Sequence, residues 1–155
     1  MGRYIDEILQ PDERLLYSTS IHWIYYLPGI VGWIVAIALL VASQQVPQGL
    51  LVLLCLGLSG AVALVAFYLS FRAWFRRWTT ETDVTDRRVV HKEGFIKRDT
   101  FEMSLDKVES VDVSQSILGR VFNYGDVTIQ GVGEGRKQIR TIASPIRFRN
   151  YITAR

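Results

Sequence analysis

The sequence predicts a membrane α-helical hairpin followed by a small β-rich domain that ends in a helix. Three observations predict it. No Asp, Glu, Lys or Arg occurs from Leu15 to Phe71, a gap of 57 residues in a chain of 155, whereas soluble domains carry about a quarter charged residues throughout. Two long apolar runs lie inside that gap. After Thr79 the pattern changes to short β-type runs separated by turn residues. Four parts are expected: a charged N-terminal arm (1–21), a two-helix transmembrane hairpin (22–71, spans 24–42 and 50–71), a basic-aromatic juxtamembrane linker (72–78) and a β-domain (79–155).

The first run, Ile24 to Ala42, has 19 residues and the second, Leu50 to Phe71, has 22. At about 1.5 Å per helical residue they reach roughly 28 and 33 Å, the thickness of a bilayer core. A helix buried in a soluble bundle keeps a polar stripe, and neither run has one. The connection Ser43–Gly49 is short and uncharged, and Pro47 and Gly49 suit a tight turn between antiparallel helices. Pro28 falls in the first turns of its helix, where proline costs little. Gly57, Ser59, Gly60, Ala61 and Ala63 recur at close-packing spacing in the second run. Gly57 and Ala61 are four apart, as are Ser59 and Ala63, and packing of this row against Gly29, Gly32 and Ala36 of the first run is expected, with an oligomer contact as the alternative. Trp33 in mid-span suggests a contact with another subunit. The first apolar run starts after about twenty residues that include four acids, so no signal peptide is expected.

Orientation follows the Lys/Arg asymmetry. The loop has no cation, Arg72, Arg76 and Arg77 follow the second span, and Arg3 and Arg14 precede the first. Both termini are therefore expected in the cytoplasm. His22, Trp23, Tyr25 and Tyr26 open the first span, and Tyr68, Phe71, Trp74, Phe75 and Trp78 close the second. In a hairpin these clusters meet at one membrane face as an aromatic belt. The expected interface anchors are His22, Trp23, Tyr25, Tyr26, Arg72, Trp74, Phe75, Arg76, Arg77 and Trp78.

In the last part, Thr79–Thr85 reads as a strand ending at the Asp86-Arg87 turn, and Arg88–Glu93 as a strand ending at Gly94. Ile96–Met103 is a third, followed by a one-turn cap at Ser104–Asp106. Val108–Val113 alternates with period two, placing Val108, Ser110 and Asp112 on one face and Glu109, Val111 and Val113 on the other. Ser116–Phe122 reads as a helical turn stopped near Asn123 and Gly125. Asp126–Gln130 and Gln138–Ile142 pair across a Gly131–Gly135 hairpin loop, and Pro145–Ala154 is a closing helix with Pro145 in its first turn. Six strands and one helix suggest an all-β or α+β partial barrel capped by a helix.

The stretch from Thr82 to Gly131 resembles the membrane-anchored bacterial pleckstrin-homology-like (PH-like) proteins. The residues that carry the resemblance are Thr85, Arg88, Gly94, Ile96, Leu105, Lys107, Val108, Leu118, Gly119, Arg120, Tyr124 and Gly125. In the N-terminal arm Tyr4-Ile5, Glu7, Leu9, Glu13 and His22-Trp23 match as well. The resemblance implies a two-helix anchor at the bacterial inner membrane and a PH-like partial barrel with a C-terminal helix. It implies no particular ligand, because this fold hosts lipid, peptide and protein binding alike.

No catalytic constellation stands out, and neither an enzyme, a cofactor nor a metal site is expected. His22 and His91 lie 69 residues apart with no ligand spacing beside them. The glycines of 131–135 lack the helix and Lys-Ser pair of a phosphate loop. One cysteine, Cys55, allows no internal disulfide. Residues 72–155 carry a net +5, which is modest, and the aromatics do not interleave with a basic strand, so nucleic acid is not expected. Arg87, Arg88, Lys92, Lys97 and Arg98 flank the turns of one hairpin, and Arg136, Lys137 and Arg140 flank another. If these loops face the membrane, they form a patch for anionic headgroups or for a partner. Otherwise they are a solvated surface balanced by Asp86, Glu93 and Asp99. The expected partners are anionic lipids and a membrane protein or a second copy of the chain. The expected function is a membrane-anchored binding or scaffold module, with an accessory subunit of a larger membrane complex as the alternative.

Overall fold

A computed structural model of the chain describes residues 4–45, 49–95, 98–133 and 135–154. The chain divides into two compact units, Trp23–Phe75 and Met1–His22 with Arg76–Arg155. Pro47 of the expected interhelical turn, Arg3, Ile96 and Lys97 lie outside the described residues.

The helical unit begins with a single 3-10 turn, Trp23–Tyr26, that leads into α2 (Leu27–Ser43), with Pro28 in the first turn of the helix. Proline there removes only an N–H that has no intrahelical partner. The second long helix, α3 (Leu50–Thr79), has 30 residues. Residues 72–78, read above as a linker, are thus the continuation of this helix. Nothing from Arg72 to Trp78 breaks a helix, and Arg76 and Arg77 in the last turn favour the negative end of its dipole. The 3-10 turn and α2 together (Trp23–Ser43) and α3 are each long and apolar enough to cross a membrane, with mean hydropathies of 2.2 and 2.7 over their most apolar windows.

Small residues form the seam between α2 and α3. Gly29, Ala36 and Ser43 are buried on α2 at intervals of seven, and Ser59, Ala66 and Ala73 repeat that interval on α3. A Cβ on Gly32 would stand 2.8 Å from the Cβ of Ala66, and one on Gly29 would meet the Ser70 side chain and stand 3.2 Å from its backbone N. Ser59 Oγ donates to the Ala36 carbonyl at 2.8 Å, satisfying the one hydroxyl in the middle of the seam. Gly57 and Ala61, expected in this contact, are not in it. Gly57 has nothing within 4 Å of where its Cβ would be, and Ala61 is exposed. Each is two residues from Ser59, hence about 200° around the helix, on the opposite face. Trp33 is also on the outward surface. Replacing Gly32 by leucine should wedge the seam open and cost about 1–3 kcal/mol. A disulfide between cysteines placed at Ala36 and Ser59, with Cys55 replaced by serine, should form efficiently only while Gly32 is kept.

Among the described residues the β-rich unit holds seven strands in two antiparallel sheets. The first is β1 (Leu15–Thr19), β2 (Glu81–Thr85), β3 (Arg88–Glu93) and β4 (Asp99–Ser104), and the second is β5 (Val108–Ser114), β6 (Tyr124–Gly131) and β7 (Arg136–Ala143). A 3-10 turn, Leu105–Lys107, joins the sheets at the expected cap, α4 (Ile117–Val121) links β5 to β6, and α5 (Pro145–Thr153) closes the chain. Val84, Val89, Met103, Val127, Ile129, Ile139 and Ile142 fill the space between the sheets, and Phe148 and Ile152 of α5 seal one end.

Two features depart from the sequence reading. The first is β1. The arm supplies a strand that pairs with β2, Thr19 opposite Thr82, after α1 (Tyr4–Ile8) has packed the fully buried Ile5. Its partner is more than sixty residues away, so no local pattern announces it. Beyond β1 the chain crosses to β7, where Ser20 O accepts from Ala143 N–H at 3.1 Å and His22 N–H donates to Thr141 O at 2.8 Å. These bonds tie the two sheets together. The second is in β5, whose register shifts between Val108 and Ser110. The bulge at Glu109 puts Val108 on the core face with Val111 and Val113, where strict alternation set them on opposite faces.

Candidate functional site

Because the Asp86-Arg87 turn fixes the β2–β3 register, Val84 lies opposite Val89 and Thr82 opposite His91. The hairpin therefore separates two polar clusters, one at each end.

At the turn end sits Glu13, whose side chain is fully buried. Its Oε1 accepts from Arg88 Nε at 3.0 Å and from Thr85 Oγ1 at 2.7 Å. Its Oε2 accepts from Arg88 Nη2 at 2.9 Å and from Gln10 N–H at 2.9 Å. Arg88 also donates to the Ile8 carbonyl and to Glu102, both at 2.8 Å. Burial works against a charged Glu13, yet the hydrogen bonds from Gln10, Arg88 and Thr85 outweigh it and hold the carboxyl below its ordinary range. Arg88 is accordingly no part of a surface patch. Its guanidinium is committed to carboxylates and a carbonyl that dock the N-terminal arm. Thr85 and Arg88, two residues that carry the family resemblance, are explained by this dock.

At the other end β3, β7, Ile21 and the end of α3 border an open cavity of about 340 Å³ lined by Ile21, Arg76, Thr80, His91, Glu93, Gln138, Ile139 and Arg140. His91 is 3% exposed, and its Nδ1 shares a 2.8 Å hydrogen bond with Thr82 Oγ1. Its Nε2 is 4.0 Å from Glu93 Oε2, and Glu93 Oε1 accepts from Arg76 Nη2 at 2.9 Å. Burial foremost, and then the Lys137 charge, push the His91 pKa down to about 4, so the imidazole is neutral at pH 7. Thr80 is 5% exposed, and its Oγ1 is the one buried side-chain oxygen or nitrogen without a hydrogen-bond partner among the described residues.

The seven described cations of the conditional patch are thus scattered. Arg87, Arg98 and Arg136 are exposed. Lys92 Nζ sits 4.7 Å from the centre of the Tyr4 ring. Arg88 is sequestered, Lys137 is half-buried on β7 near His91, and Arg140 lines the cavity. Lys97 lies outside the described residues. A six-residue strand, about 20 Å long, keeps Arg87 and Arg88 apart from Lys92 and Arg98.

Among the expected interface anchors, His22 is 9% exposed and stacks on Tyr124 with ring centres 5.3 Å apart, so it belongs to the β-rich unit and is not an exposed belt residue. Arg76 is drawn to Glu93, and Trp78 stacks on Phe95 at 5.7 Å. Trp23, Trp74, Arg72 and Arg77 are exposed, Tyr25, Tyr26 and Phe75 half-buried, and Phe71 stacks on Phe75 at 6.3 Å.

Sequence reasoning missed Thr80, Glu93 and Gln138 as lining residues. The Thr82–His91 pairing was legible from the turn, but the approach of β7 was not. It also missed an exposed apolar cluster on α4. Ser116 caps that helix by accepting from Gly119 N–H at 3.0 Å, and Ile117, Leu118, Val121 and Phe122 all project outward, Ile117 being 85% exposed. Four such side chains on one short helix exceed the scattered apolar exposure usual for a surface. Among the described residues no three His, Cys, Asp or Glu side chains come together as metal ligands do.

Residues 24–155 match the model of a family described as Bacterial PH domain. No curated protein and no solved structure matches the chain.

Proposed function

The chain belongs to the bacterial PH domain family, and from that premise we propose that it is a non-enzymatic binding module anchored by the α2–α3 hairpin at the inner face of the bacterial cytoplasmic membrane. Its ligand is a membrane protein or an anionic lipid. The observation that carries this reading is the surface of the two helices. Only 11% of each apolar window is buried, and Ile34, Ile37, Leu53 and Leu64 are each more than half exposed. Water is a poor solvent for such a surface, at about 25 cal/mol per Å², while a hydrocarbon core suits it. Arg72 and Arg77 then sit among headgroups, and both termini lie on the cytoplasmic side.

In native membranes the chain should stay in the pellet after alkaline carbonate washing, and a tag after Arg155 should be reached only from the cytoplasmic face. Release by carbonate would refute the anchor. For the ligand, discs of mixed neutral and anionic lipid are the test. Replacing Arg87, Arg98 and Arg136 together by glutamate should reduce anionic-lipid enrichment around the protein several-fold at low salt, at about 1 kcal/mol per cation near the surface. Unchanged enrichment would leave a protein partner as the ligand.

A second reading, an accessory subunit of a membrane complex, is favoured by the α4 cluster and by the open space over Gly57 and Gly60. Gentle detergent extraction separates the two: a fixed set of co-migrating proteins supports the subunit, and a monomer or homo-oligomer opposes it.

A further inference from the structure

We propose that α4 is a second membrane contact, whose Ile117, Leu118, Val121 and Phe122 enter the acyl boundary of the same bilayer that holds α2 and α3. The inference rests on the membrane reading above and adds to it a surface of the β-rich unit. A helix on a water-soluble domain turns its apolar side inward. In α4 the sides are reversed. Residues 117, 118, 121 and 122 fall on one face of a helix, and that face points outward, with Ile117, Leu118 and Val121 each more than half exposed. The inward side is polar and closely fitted. Gln115 Nε2 donates to the Gly119 carbonyl at 3.2 Å and to the Tyr124 carbonyl at 2.9 Å. Gly119 is buried, and a Cβ there would stand 2.7 Å from the Tyr124 carbonyl oxygen. The backbone of α4 is thus held against the start of β6, and rolling the helix would bring a side chain to where only a glycine fits.

Two further observations name lipid as the occupant. The first is continuity along the chain. The His22 ring is hydrogen-bonded to the backbone of Phe122 and stacks on Tyr124, and Arg77 lies close enough for its charge to act on that ring. His22 is followed directly by Trp23, where the chain passes to the apolar helices, and Arg77 comes one residue after it re-enters the β-rich unit at Arg76. The end of α4 therefore lies beside both crossings. The second is charge. From Ser114 to Asn123 there is no acid and a single cation, Arg120. An apolar face flanked by a cation is the make-up of helices that lie in a bilayer interface. If lipid covers α4, the cluster gives no support to the subunit reading.

The test uses the full chain in discs of neutral phosphatidylcholine, with Cys55 replaced by serine. Single cysteines at Ile117, Val121, Asp106 and Leu53 carry a fluorophore, and a quenching spin label is carried on the lipid chains. An interfacial helix reaches about 5–10 Å into the headgroup–acyl boundary, so the quencher sits high on the chain for the first three sites and near its end for Leu53. Asp106 is exposed at the other end of β5 and serves as the aqueous reference. Quenching at Ile117 and Val121 is expected to exceed that at Asp106 several-fold. It should not change with salt, because no charge carries the contact. Leu118→Asp with Val121→Asp should bring the Ile117 label down to the Asp106 level. Both residues are exposed, so the fold should survive the change. Quenching at Leu53 but not at Ile117 or Val121 overturns the proposal and leaves the hairpin in the membrane. No quenching at Leu53 removes the membrane reading and this proposal with it. Labels at Ile117 and Val121 that are unquenched in discs, yet shielded from an aqueous quencher in native membranes, also overturn it, since a protein partner then covers α4.

Discussion

Replacing Glu13 by alanine is expected to destabilise the β-rich unit by about 3–5 kcal/mol, the usual consequence of removing one partner from a buried ion pair. For a unit of roughly a hundred residues that lowers the unfolding midpoint by about 12–24 °C. The cause is specific. Glu13 Oε1 and Oε2 take four hydrogen bonds, from Arg88 Nε and Nη2, Thr85 and the Gln10 amide. Without them Arg88, whose side chain is only 18% exposed, loses its main counter-charge. Glu102 and the Ile8 carbonyl cannot replace it, because each already receives a separate Arg88 N–H. The dock of the arm fails with it, and β1 is left with its strand pairing and the contacts at Thr19–His22. Arg88→Ala should cost a similar amount, and the double substitution less than the sum of the two, because each single change strands the other's partner. Thermal unfolding of the four proteins in one detergent measures the cycle. Additive costs would show that the pair is not coupled. A simple surface role for Arg88 makes the opposite forecast: altered lipid binding with an unchanged midpoint.

Acidification should weaken the same unit in two stages. The His91 pKa is about 4 in the folded chain against an ordinary 6.5. The folded state therefore resists a proton that the unfolded chain accepts. Stability is unaffected above about pH 6.5, falls as pH drops from there to about 4, and levels off below for this group. The full loss is on the order of 3 kcal/mol at 1.36 kcal/mol per pH unit. His22, also held below its ordinary value by burial and by Arg77, adds to the loss in the same range. Below pH 4.5 Glu13 takes over, because its depressed carboxyl charges more readily in the folded state than in the unfolded one. His91→Gln should remove most of the slope between pH 6.5 and 4.5 and leave the His22 share and the Glu13 fall below. Urea or guanidinium unfolding at a series of pH values checks this, and a wild-type midpoint that stays flat from pH 7 to 4.5 would contradict it.

Local physics made much of this protein legible. A 57-residue stretch without a formal charge holds both long apolar helices, and Pro28 and Gly49 lie at their starts. The Asp86-Arg87 turn was sufficient to pair Thr82 with His91. Pro145 marked the start of α5, and Ser116 the start of α4. Each of these signals acts over a few residues, through backbone sterics, capping or side-chain periodicity.

Other features depend on residues brought together from far apart. Leu15–Thr19 carries no strand alternation of its own, since its burial comes from β2 and the crossing to β7. Arg88 looked like surface charge because its counter-ion lies 75 positions earlier. Gly57 and Ala61 had the right spacing for a helix seam, but spacing does not say which face of a helix meets its neighbour. The cavity at His91 joins β3, β7, Ile21 and the end of α3, and no window of sequence contains them together. The sequence by itself determined the two long apolar helices, six of the seven strands described and the closing helix, but not β1, α1 or the extension of α3 through residues 72–78. Tertiary structure alone decided which charges are sequestered and which face a cavity. Propensity and periodicity act between near neighbours, while the burial and pairing of a charge depend on whatever the completed fold sets against it.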